Sequence, residues 1–69
     1  MDFAQTVKEI RKILSMSQAQ LARELHVSFA TVNRWENGKN SPNMLAKKAL
    51  YDFCKENDID EALILHLLD

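Results

Sequence analysis

The chain contains one glycine and one proline, and both fall inside a single stretch, "GKNSP", from Gly38 to Pro42. A sheet of comparable size needs turn residues scattered along its length. A chain whose two strongest breakers share one loop is therefore expected to be helical on either side of it. Its 69 residues make one domain, 1–69, with a modest core and no enclosed substrate cavity. The expected fold is all-α, a compact bundle of about five short helices.

The periodicity places them. Phe3, Val7, Ile10 and Leu14 form one stripe of a helix from Phe3 to Leu14, with Asp2 as its cap and Lys8, Glu9 and Lys12 away from the stripe. "SQAQ" sets Ser17 and Gln20 in capping-box positions, opening a second helix that buries Leu21, Ala22 and Leu25 and ends near His26. Ser28 caps the third, "SFATVNRWENG", which turns Val32 and Trp35 inward and stops at Gly38. Ser41 and Pro42 open the fourth, with Leu45, Ala46, Ala49, Leu50 and Phe53 as its apolar stripe and Cys54 at the border. The fifth begins near Asp58 or Asp60 and reaches almost to the last residue.

Net charge is −1, but the average hides a division. Residues 1–48 hold eight Lys/Arg against four Asp/Glu, a net of +4, and residues 49–69 hold one against six, a net of −5. Such segregation fits two faces with different partners, the front one tolerant of phosphate; ordinary surface variation is the alternative. The N-terminus has no basic start leading into an apolar block, and no apolar run is long enough to cross a bilayer, so a cytoplasmic protein is expected. The lone Cys54 forms no internal disulfide. Together with His26 and His66 it offers no metal-ligand spacing, so neither metal nor other cofactor is expected. No nucleophile–base pair, carboxylate pair or phosphate loop is visible, and an enzyme is not expected.

Only "HVS" joins the second and third helices, which forces them to cross steeply with Ala22, Leu25, Val27 and Val32 in the corner. Here "SQAQLARELHVSFATVNRWENGKNSP", Ser17 to Pro42, resembles the repressor/Cro (XRE-type, lambda-repressor-like) helix-turn-helix family. Gln18, Leu21-Ala22, Val27-Ser28, Val32, Trp35 and Glu36-Asn37-Gly38 stand in register with it, the helix-turn-helix proper covering residues 17–38. Ser15 and His26 depart from it, each standing where many members have glycine.

The resemblance implies sequence-specific binding of double-stranded DNA through the major groove, in a bacterial or phage transcriptional regulator. Phe29, Ala30, Asn33 and Arg34 would meet base edges, although Phe29 has an alternative place over the helix-four side of the core. Gln18, Ser28, Thr31, Asn37, Lys39 and Asn40 would contact phosphates, with Lys47 or Lys48 adding charge. It also implies an ion pair between Arg11 and Glu36, and core packing for Trp35. So thin a basic face implies a homodimer on a two-fold site. In the fifth helix Ile59, Ala62, Leu63, His66 and Leu67 suffice for the core, which leaves Ile64, Leu65 and Leu68 as a dimer face or a docking face for further sequence; a frayed end is the alternative. Other functions compatible with the resemblance are a DNA-targeting module of an antitoxin, restriction controller or DNA-modifying enzyme, and a protein-interaction domain that has kept the fold.

Overall fold

The computed structural model describes residues 2–38 and 42–68, apart from the side chains of His66 and Leu68. The described residues form α1 (Phe3–Leu14), α2 (Gln18–Leu25), α3 (Phe29–Glu36), α4 (Met44–Glu56) and α5 (Glu61–Ile64), the last running straight into a 3₁₀ turn, Leu65–Leu68. Local chemistry sets most of the boundaries. The Asp2 carboxylate accepts from the Gln5 amide at 2.8 Å. The Ser17 hydroxyl accepts from the Gln20 amide at 3.0 Å while the Gln20 side chain accepts from the Ser17 amide at 2.7 Å, a reciprocal capping box.

Three helices end in the same way without glycine. Ser15 (φ 55°), His26 (φ 60°) and Asp58 (φ 59°) take the left-handed conformation just past α1, α2 and α4. In each case the next amide reaches back five residues: Met16 to the Arg11 carbonyl (2.9 Å), Val27 to Ala22 (2.9 Å) and Ile59 to Cys54 (3.0 Å). These bonds satisfy carbonyls that the helix itself leaves open, which offsets part of the strain of a side chain at positive φ.

The core gathers one stripe from every helix: Val7 and Ile10, Leu21 and Ala22, Val32 and Trp35, Leu50 and Cys54, then Ile59, Ile64 and Leu67. α1 and α2 pack on α3, while α4 packs on the C-terminal turn. Burial pushes the Cys54 thiol up to about 12, so it behaves as a small apolar group.

The structure corrects the sequence reading in the C-terminal half. Asn43 caps α4, its side-chain oxygen accepting from the Ala46 amide at 2.8 Å, and Pro42 precedes the cap; Ser41 lies outside the described residues. The α4 stripe follows Ala46, Leu50 and Cys54 at a spacing of four. Leu45 consequently points away from the core and is 79% exposed, and Ala49 is exposed too. The expected fifth helix is one α-turn followed by a 3₁₀ turn, whose period of three aligns Ile64 with Leu67. Both are buried, so Ile64 belongs to the core and not to a dimer face, while Ala62, expected inside, is exposed.

Candidate nucleic-acid interface

The short link between α2 and α3 fixes the angle of α3. His26 takes the left-handed turn, Val27 is half-buried, and the Ser28 hydroxyl caps α3 by accepting from the Thr31 amide at 3.1 Å. Behind the corner Ala22 and Val32 are buried, and Phe3 meets Trp35 edge-on with ring centres 5.6 Å apart at 81°. Trp35 is thus a core residue. With its rear held by Val32 and Trp35, α3 must turn its other side outward.

That side carries Phe29 (55% exposed), with Ala30 and Arg34 also exposed. Phe29 does not take its alternative place in the core. Asn33 is half-buried at the edge of the same surface, and its amide is engaged on both sides. It donates to the Gln18 carbonyl at 3.1 Å and accepts from the Asn37 amide at 3.0 Å. Gln18 in turn donates to Glu36 at 3.0 Å.

Glu36 anchors this chain of bonds. Its side chain is 3% exposed and is gripped by the Arg11 fork, Nε to Oε2 and Nη2 to Oε1, the latter at 2.8 Å. Arg11 also donates to the Met16 carbonyl at 3.1 Å, so one guanidinium ties α1, the α1–α2 turn and α3 together. Burial pushes the Glu36 carboxyl up. The hydrogen bonds from Arg11 and Gln18, with the charges of Arg11 and Lys8, outweigh this and hold it below its ordinary value. The Arg11 guanidinium is raised chiefly by its hydrogen bond to Glu36, against desolvation.

The candidate phosphate contacts occupy varied settings. Ser28 caps the helix and its hydroxyl lies 2.9 Å from that of the half-buried Thr31. Asn37 is exposed at the end of α3. Gln18 sits at the start of α2, where the amides of a helix N-terminus face outward. Lys39 and Asn40 lie outside the described residues, as does the Leu68 side chain. Lys48 pairs with Asp52 at 2.9 Å, with both side chains more than half exposed, an arrangement worth little energetically. Leu65, of the expected dimer face, is 58% exposed.

What the sequence did not show of Gln18 is its pair of bonds to Glu36 and Asn33. Its match to the family pattern pointed to a phosphate, and nothing local pointed to Glu36 and Asn33, which lie 18 and 15 residues further along. The available signal was the capping box, which fixes Gln18 as the first residue of α2 and hence its direction.

The helix-turn-helix family pattern matches residues 7–48, from within α1 to within α4. The chain belongs to the helix-turn-helix family. It is also similar to the HTH-type transcriptional activator BcrR of Enterococcus faecalis, with 36% identity over 63 residues, 91% of this chain and 30% of that protein. The chain thus spans less than a third of that relative's length. No solved structure matches. Among the described residues there is no cluster of side chains able to hold a metal ion, and no helix is long and apolar enough to cross a membrane.

Proposed function

We propose that this domain binds double-stranded DNA sequence-specifically as part of a transcriptional regulator, with α3 in the major groove. The observation that carries the reading is the two-sidedness of α3: Val32 and Trp35 are buried, while Phe29, Ala30 and Arg34 face outward beside the half-buried Asn33. A helix with its side chains is about 10–12 Å across, which suits a groove about 12 Å wide. The likeness to a transcriptional activator supports the regulatory half of the proposal.

Each outward group has chemistry suited to a base edge. The Asn33 amide retains one N–H and one lone pair beyond its bonds to Gln18 and Asn37, which is what adenine requires. Arg34 forks onto guanine or a phosphate, and Phe29 and Ala30 meet thymine methyls. Gln18, Ser28, Thr31, Asn37, Lys39 and Asn40 set the domain on the backbone. With few cations on this face, a homodimer on a two-fold site is the working form, and burial of Ile64 leaves Leu65 as the described apolar residue to test at its interface.

Selection of bound sites from a random DNA pool tests the reading. A short enriched motif is expected, two-fold symmetric if the dimer forms. An unenriched pool contradicts the proposal. On the selected site, Asn33→Ala is expected to cost about 1–3 kcal/mol and to relax preference at one base pair. Equal loss on every sequence removes Asn33 as a reader.

A further inference from the structure

The hydrogen bonds leading away from Glu36 have a direction as well as a position. An ionised carboxylate only accepts, so the Gln18 amide must turn its NH₂ toward Glu36, as observed at 3.0 Å. The Gln18 carbonyl then lies at the opposite end, where only a donor satisfies it. Asn33 supplies that donor at 3.1 Å, which leaves the Asn33 carbonyl to accept from Asn37 at 3.0 Å. Turning any one amide over would set oxygen against oxygen or NH₂ against NH₂. The order of the whole row is therefore dictated from its buried end, where Arg11 holds the carboxylate.

We propose that Gln18 is a specificity-determining positioning residue: by bridging Glu36 and Asn33 with the two ends of its amide, it fixes the donor–acceptor order that Asn33 presents to a base edge. This rests on the reading of Asn33 as a base contact and gives Gln18 a part distinct from holding a phosphate. Order matters because adenine offers its N7 acceptor and N6 donor in one fixed sequence across the groove. An amide turned the wrong way forfeits both bonds. An Asn33 amide held in the productive order before DNA arrives also avoids the entropy cost of being sorted on binding.

The test compares the 69-residue chain with Gln18→Met, which keeps the volume and loses both bonds, and with Glu36→Gln, which replaces an obligatory acceptor by a group able to face either way. Binding is measured on the selected duplex, on duplexes changed at each base pair, and on random DNA. Both variants are expected to lose about tenfold in preference at the base pair that Asn33→Ala affects, with preferences elsewhere retained. In an Asn33→Ala background Gln18→Met is expected to change preference no further. A loss uniform over all duplexes and additive with Asn33→Ala makes Gln18 a phosphate contact and overturns the proposal.

The side-chain amide signals of the free protein supply a second readout. The two Nδ2 protons of Asn33 are expected to be well separated, and to draw together in Gln18→Met while the backbone signals of the core stay in place. Unchanged Asn33 signals overturn the ordering itself. A wild-type chain with no sequence preference removes base reading, and the consequence for specificity with it, whereas these signals still decide whether Gln18 orders Asn33.

Discussion

Ser15 and His26 hold left-handed backbone where a side chain costs about 1–2 kcal/mol relative to the right-handed form. Glycine at either place relieves that strain but loosens the unfolded chain, so Ser15→Gly and His26→Gly are each expected to stabilise the domain by about 0.5–1 kcal/mol. Denaturant unfolding checks this, and a loss of stability would show that the side chain itself contributes more than the strain. Glu36 sets the other residue-scale expectation. Its carboxyl lies below the ordinary value of 4.5 in the folded chain, so its stabilising contribution is complete above that value and is lost as pH falls through the lower folded one. Glu36→Gln is expected to flatten this acid limb. Removing Arg11 strands a carboxylate that is 3% exposed, so Arg11→Met is expected to cost about 3 kcal/mol and to cost more than Glu36→Gln, as read by urea unfolding at pH 7.

At the scale of the element, the N-terminal three helices were legible because their signals are local. Asp2, Ser17 with Gln20, and Ser28 each bond an amide three residues away, and the stripe Val7–Ile10 keeps one period throughout. The C-terminal half was less legible where the geometry changes character. Asn43 competes with Ser41 for the start of α4 within the same loop, and the passage from α5 into a 3₁₀ turn alters the period on which any stripe depends. A helical wheel therefore assigns Ile64 outward although it is fully buried. The distinction is measurable: Ile64→Ala is expected to cost about 2–5 kcal/mol and Leu65→Ala less than about 0.5 kcal/mol. Equal small effects would mean that the C-terminal turn does not close the core.

At the scale of the molecule, the family resemblance pointed to a candidate site, yet it assigned residues one at a time. The row Arg11–Glu36–Gln18–Asn33–Asn37 joins α1, α2 and α3, and no spacing in the sequence predicts which amide faces which. It links the buried ion pair to the outward face of α3 through bonds that are each weak and together directional. The charge division acts at the same scale. On the proposed reading about three cationic side chains per copy neutralise phosphates, so log K is expected to fall with log salt at a slope of roughly −3 for a monomer and about twice that for a dimer. A slope near zero would mean that the domain does not neutralise phosphates.

On the proposed function, the outward face of α3 is the surface that meets the duplex. Titration of the isotope-labelled domain with its selected DNA, followed by two-dimensional NMR, tests this most directly. The signals of Phe29, Ala30, Asn33 and Arg34 and the side-chain amide of Gln18 are expected to move together at stoichiometric DNA, while those of Ile59, Ile64 and Leu67 stay in place. Changes confined to the acidic C-terminal third, with the α3 signals unmoved, would contradict it.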